Sequence, residues 1–223
     1  MNLGARRRGR DVVGLIAGAL LFALISAVVA DGLVIGEEAI FSAVNSLPDA
    51  FYVVIWPFMQ YGVFVTIPTL TVIALVMHRY RLAAAMATSG VGVYFLARVV
   101  KEIVQRGRPA ALIAEVEARE NFSSTGIGFP SGHIAVAAAL TVVLTPYLRG
   151  RWRYVPAALA VVVCIGRMYV GAHTPLDLFG GAALGILAGS LANLVIGGPR
   201  RPHEEEELDV GVSTSTPPLQ TAS

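Results

Sequence analysis

The stretch R-M-Y-V-G-A-H-T-P-L-D, Arg167 to Asp177, sets a guanidinium, an imidazole and a carboxylate at the lip of an apolar segment that continues from Leu178 to about Ile196. Charges at such an edge are expensive unless they are paired or used. Two earlier stretches carry matching chemistry: K-E-I-V-Q-R-G-R-P, Lys101 to Pro109, and P-S-G-H, Pro130 to His133. Together the three collect one lysine, three arginines, two histidines, a serine and an aspartate, each at the edge of a hydrophobic run. Such a set suits a phosphate-handling catalytic site.

Working outward, the chain of 223 residues is 55% hydrophobic and only 14% charged. With a mean hydropathy of +0.67, it is far more apolar than a soluble domain and reads as an integral membrane protein. A net charge of +2 gives no ground for nucleic acid as a partner. The single Cys164 excludes a disulfide framework and a cysteine-based metal site.

A spanning helix needs about 20 mostly apolar residues, and six stretches are candidates: roughly 12–30, 61–77, 82–100, 134–148, 154–172 and 177–196. The expected fold is all-α, a six-transmembrane-helix bundle. Arg6 to Arg10 precede the first stretch, which reads as an uncleaved signal anchor. Between the first two stretches, the acids exclude a span, and Phe51, Tyr52, Trp56 and Phe58 predict a helix lying in the interface.

Basic residues fall at Arg6 to Arg10, His78 to Arg81, Arg149 to Arg153, and Arg200 with Arg201. In a six-span arrangement these share one side, which the positive-inside rule makes cytoplasmic, with both termini. The opposite side receives Asp31, Glu37, Glu38, Asp49 and all three charged motifs. The site is therefore expected at the extracytoplasmic interface of a plasma (inner) membrane protein. The predicted divisions are a cytoplasmic basic segment at 1–11, a membrane domain at 12–197 and a disordered cytoplasmic tail at 198–223 containing Glu204 to Glu207. Gly181, Gly185 and Gly189 repeat every four residues and allow close helix approach, within the bundle first and in a homodimer second.

The motifs carry their chemistry through helix ends. Pro130 to His133 opens the fourth stretch, where unpaired N–H groups and the helix dipole favour an anion. Gly132 admits close approach of phosphate, Ser131 adds a donor, and His133 lies within reach. At the sixth stretch Thr174 is a candidate N-cap and Pro175 a first helical residue. His173 then stands just outside the helix, with Asp177 in the first turn, able to fix one imidazole nitrogen and leave the other as nucleophile. Six residues separate Arg167 from His173, too many for one helical face, so the fifth helix must end between them, with Gly171 a fitting stop. Lys101 and Arg108 bracket a loop and supply charge for phosphoryl oxygens. Arg106 is a possible assistant, and Arg98 a candidate for pairing inside the bundle. Phe129 and Tyr169 either line the entry or pack. The segment 110–129 is long enough for a lid but equally fits a connector.

Lysine, six residues, R-P; then P-S-G-H; then arginine, five residues, histidine, three residues, aspartate: this order resembles the type 2 phosphatidic acid phosphatase family, which shares its site with vanadium haloperoxidases. The resemblance implies His173 as nucleophile forming a phosphohistidine, Asp177 as its orienting partner and His133 as acid and base. It implies Lys101, Arg108, Ser131, Gly132 and Arg167 as phosphate ligands, with no metal and no cofactor. The family usually has serine before the third-motif arginine, where this chain has Gly166, which removes one possible hydrogen bond. The implied activity is hydrolysis of a membrane lipid phosphate or diphosphate: polyprenyl phosphate or diphosphate, phosphatidic acid, or phosphatidylglycerol phosphate. A lipid phosphotransferase using the same intermediate, and a noncatalytic lipid-binding or transport protein of the same fold, are the alternatives.

Overall fold

The computed structural model describes residues 3–30, 32–120 and 126–197. The tail at 198–223 with Arg200 and Arg201, Asp31, and the loop positions from Asn121 to 125 lie outside the described residues. Within them every regular element is helical, and the one β-type pairing is an isolated bridge between Gly107 and Ile127.

Among the described residues three helices are, each by itself, long and apolar enough to cross a membrane: α1 (Leu3–Val29, spanning from Arg8), α5 (Tyr80–Val104) and α9 (Pro175–Ile196). The region between α1 and α5 forms α2 (Glu37–Asn45), α3 (Phe51–Met59) and α4 (Thr66–Val76). A bend of 65° separates α3, with its short helical extension to Gly62, from α4. The helix expected from Phe51 to Phe58 is α3, a further short helix, α2, precedes it, and the second apolar stretch becomes α-helical only from Thr66. Between α5 and α9 lie a single turn, α6 (Pro109–Leu112), and two shorter helices, α7 (Gly132–Leu144) and α8 (Val155–Tyr169). At 13 and 15 residues, α7 and α8 are shorter than the roughly 20 residues a bilayer core requires.

The hub is α9, which packs on α1, α5 and α7. Between α7 and α9 the Gly181, Gly185 and Gly189 stripe faces the α7 backbone: a Cβ at Gly189 would lie 2.9 Å from the Ala139 carbonyl oxygen, and Gly181 and Gly185 meet the carbonyls of Ser131 and Ala135 as closely. The stripe works within the bundle, as expected, and brings the starts of α7 and α9 side by side. Apolar side chains such as Leu20, Leu24, Val53, Val54, Val76 and Val195 remain exposed, the surface of a protein whose solvent is lipid. At one end of the bundle Arg81 donates to the Ile196 carbonyl and Asn193 donates to Asp11 at 3.1 Å. That end also carries Arg8 and Arg10 of α1 and the loop with Arg151 and Arg153. The charged motifs gather at the other end.

Candidate active site

The end of α8 and the start of α9 build the first half of the site. Gly171, at φ +79°, lets the chain leave α8, and the Arg167 carbonyl accepts from the N–H groups of Ala172 (3.0 Å) and His173 (3.3 Å). His173 is thereby folded back beside Arg167. Thr174 caps α9, Pro175 opens it, and the Asp177 carboxylate closes back on the Thr174 N–H at 3.0 Å. This is the arrangement the sequence predicts. The Asp177 Oδ2 stands 3.6 Å from Nδ1 of His173, just beyond a normal hydrogen bond. Among the described residues that buried nitrogen has no closer partner.

The start of α7 supplies the second half. Ser131 is its N-cap and fully buried, its N–H donates to the Asp177 carbonyl at 2.9 Å, and its hydroxyl has no partner among the described residues. A side chain on Gly132 would meet nothing within 4 Å, so the backbone there is open to close approach. His133, in the first turn, lies within the electrostatic field of Arg167, His173, Arg108 and Lys101.

Cations complete the ring. Lys101 lies inside the last turn of α5, which runs past the predicted end of that segment to Val104. Its ammonium donates to the carbonyls of Ile127 (2.8 Å) and Gly128 (2.9 Å), two of its three N–H donors. The Arg108 N–H bonds the Gly126 carbonyl at 3.1 Å and the Gly128 N–H bonds the Arg106 carbonyl at 2.7 Å, which ties the first motif to the residues just before the second. Burial and the nearby Arg167 push the Arg108 guanidinium below its ordinary value, against the pull of Asp177. Cations crowded together at that cost are a pattern that functional sites share. Arg167 is buried and donates to the Glu120 carboxylate at 2.9 Å, an anionic group resting on a residue predicted to hold phosphate. All eight predicted site residues thus lie at one end of the bundle.

Burial drives the His173 imidazole down to about 4, with Arg167 and Lys101 acting in the same direction and Asp177 opposing. His173 is neutral near pH 7, with a lone pair available for attack. Among the described residues no group of three or more His, Cys, Asp or Glu is arranged to hold a metal ion.

The remaining candidate residues take definite places. Arg106 does not assist at the anion site: it is buried against Glu37, Thr174 and Asp177, and those bonds outweigh the desolvation that disfavours its charge, holding it more firmly protonated than usual. Arg98 is exposed and lies over the Tyr94 ring at 4.9 Å rather than pairing within the core. Phe129 and Tyr169 are wholly buried packing residues. The position of Gly166 faces α3, where a Cβ would lie 2.6 Å from Met59 and 2.8 Å from Ile55. A serine there would point at packed side chains and away from a phosphate. The segment after α6 is a strap: Asn45 bonds Glu117 through both its backbone groups, and Arg119 donates to the carbonyls of Asn45, Leu47 and Tyr169. The contacts of Glu37 escaped the sequence reading, because nothing local links it to Arg106, 69 residues away.

The family model of the PAP2 superfamily matches residues 80–198, and the chain belongs to that family. Phosphatidylglycerophosphatase B of Bacillus subtilis is 34% identical over 104 residues, 41% of this chain and 47% of that protein. The undecaprenyl-diphosphatase of Sulfolobus acidocaldarius is 28% identical over 125 residues, 55% of this chain and 59% of that one. The crystal structure of a transmembrane PAP2 type phosphatidylglycerolphosphate phosphatase from Bacillus subtilis superposes with a TM-score of 0.68 at 25% identity, covering 80% of this chain and 93% of the other. The chain spans 27% to 59% of the lengths of the curated relatives it matches.

Proposed function

We propose that this protein is a lipid phosphatase that hydrolyses a phosphomonoester or diphosphate of a membrane lipid through a phosphohistidine on His173. The observation that carries the reading is the convergence of two histidines and three cations, Lys101, Arg108 and Arg167, from separate helices at one end of an apolar bundle. Membership of the PAP2 superfamily supports it, as do relatives named for phosphatidylglycerophosphate and undecaprenyl diphosphate.

In the first step the Nε2 lone pair of His173 attacks phosphorus, the bond to the lipid oxygen breaks, and that oxygen takes a proton from His133, which enters the step as imidazolium, its charge paired with the bound phosphate. In the second step water attacks phosphorus and gives its proton to His133, while the P–N electron pair returns to His173. Lys101, Arg108, Arg167, the Ser131 hydroxyl and the Gly132 backbone hold the phosphoryl oxygens, whose stabilisation is chiefly electrostatic. Asp177 orients His173 and offsets the positive charge it gains on phosphorylation. The membrane unit in this reading is 12–197, six apolar stretches of which α7 and α8 are short for a full crossing, flanked by cytoplasmic segments 1–11 and 198–223. The site opens on the extracytoplasmic side, where a lipid keeps its tail in the bilayer while its head enters the basic pocket.

The test is phosphate release from a panel of lipid phosphates and diphosphates, in EDTA, for the parent and His173→Ala. The parent is expected to release phosphate and retain label on histidine after a rapid acid-free quench, and His173→Ala to do neither. No release from any substrate defeats the phosphatase reading, and loss of turnover in EDTA defeats the metal-free mechanism.

A further inference from the structure

Behind His173 and Asp177 lies a buried ionic cluster that the proposed chemistry leaves unused. Asp177 Oδ1 accepts from the Arg106 guanidinium at 2.8 Å, and the other face of that guanidinium is held by Glu37 at 2.6 Å. The same Arg106 nitrogen that reaches Asp177 also donates to Thr174 Oγ1 at 2.8 Å, and its partner nitrogen donates to the Gly32 carbonyl at 3.1 Å. Glu37 Oε1 further accepts the Leu176 N–H at 3.0 Å, one of the otherwise unpaired amides in the first turn of α9. All three ionic side chains are 2% exposed or less. Burying them costs several kcal/mol per ion unless each is paired, so pairing alone explains one carboxylate per guanidinium. A second carboxylate needs another reason.

Two carboxylates and one guanidinium leave a net charge of −1, directed at the one group nearby that gains positive charge in the reaction. Without Glu37, Arg106 would neutralise Asp177 and draw its carboxylate away from the imidazole. With Glu37, the guanidinium charge is shared, and Asp177 keeps both its place and part of its field at Nδ1 of His173. We propose that Glu37 and Arg106 are positioning residues, set on α2 and on the loop after α5, that fix Asp177 and preserve its charge toward His173. Neither touches the phosphate. The inference rests on the phosphatase reading for its kinetic consequence but not for its structural one.

The experiment compares the full-length protein with Glu37→Gln, which keeps shape and removes charge, Glu37→Asp, which keeps charge, and Arg106→Lys, which keeps a cation that cannot bridge both carboxylates. Kinetics are read as kcat, KM and competitive inhibition by inorganic phosphate. Glu37→Gln and Arg106→Lys are expected to lower kcat by about 10- to 100-fold, the range seen when groups that orient metal-binding side chains are removed, with KM and phosphate inhibition changed less than about twofold. Glu37→Asp is expected to recover part of the loss. A merely structural role would raise KM and weaken phosphate inhibition together, and that outcome overturns the proposal, as does unchanged kcat. A second readout needs no turnover: 15N NMR of histidine-labelled protein at pH 7, with His173 assigned through His173→Ala. The parent is expected to carry the His173 proton on Nδ1, and Glu37→Gln to shift the population toward Nε2–H. An unchanged tautomer overturns this inference while leaving the phosphatase reading intact, whereas a parent that releases no phosphate defeats that reading and leaves the tautomer to decide this one.

Discussion

A serine at position 166 would meet Met59 and Ile55 closer than side chains tolerate, because α3 lies against α8 there. The departure from the family pattern is therefore compensated by packing, and restoring the family residue should harm the protein. Gly166→Ser is expected to destabilise it by about 1–3 kcal/mol, the cost of overpacking, seen as a lower thermal midpoint in detergent. A gain in turnover with no loss of stability would contradict this. At the same scale, His173 buried at about 4 titrates well below a free histidine. Its folded value lies under the unfolded value of about 6.5, so the unfolded chain takes up the proton first. His173 therefore contributes no penalty above about pH 6.5 and costs stability as pH falls from there toward about 4. A 15N NMR titration should find its midpoint near 4, and a midpoint near 6.5 would show an imidazole less buried than described. The placement of His173 and Asp177 was legible because capping rules act on neighbours: Thr174, Pro175 and Asp177 dictate how a helix begins, whatever surrounds it. Gly166 was misread because its partners, Met59 and Ile55, stand more than 100 positions away.

Between elements, the decisive contact is the seam of α7 and α9, which carry Ser131, Gly132 and His133 on one side and Asp177, with the preceding His173, on the other. Any side chain at Gly185 would collide with the Ala138 methyl at 2.7 Å and the Ala139 nitrogen at 2.9 Å. Gly185→Val is expected to part the two helices, cost about 1–3 kcal/mol and depress kcat by displacing the two histidines from each other. Gly92→Ala, at a helical position where a Cβ meets nothing within 4 Å, serves as the control and should leave both unchanged or raise stability slightly. The four-residue glycine spacing was visible in the sequence because one helical face repeats at that interval. The angle between α3 and α4 was not: the sequence separates an interface helix from the next span, and only packing of α3 on α8 and of α4 on α5 fixes the 65° between them.

For the molecule as a whole, the basic end and the site end are opposite, with Arg8, Arg81 and Arg151 at one and Lys101, Arg108 and Arg167 at the other. In the topology proposed above, the positive-inside rule turns the site outward. In a Cys164→Ser background, Glu38→Cys is expected to react with a membrane-impermeant thiol reagent in intact cells, and Arg151→Cys only after permeabilisation. The reverse pattern would put the site in the cytoplasm and exclude an outer-leaflet substrate.

The sequence by itself determined that the chain is helical and apolar, and that three charged motifs sit at helix edges. Those properties depend on periodicity, helix capping and the expense of charge beside apolar runs, all of them local. Only the tertiary structure decided what Arg106 and Glu37 do, why position 166 is glycine, and where the strap at Glu117 and Arg119 is tied. Each depends on a buried polar or packed group finding its partner on a distant element, and burial makes such partners obligatory without leaving any periodic trace along the chain.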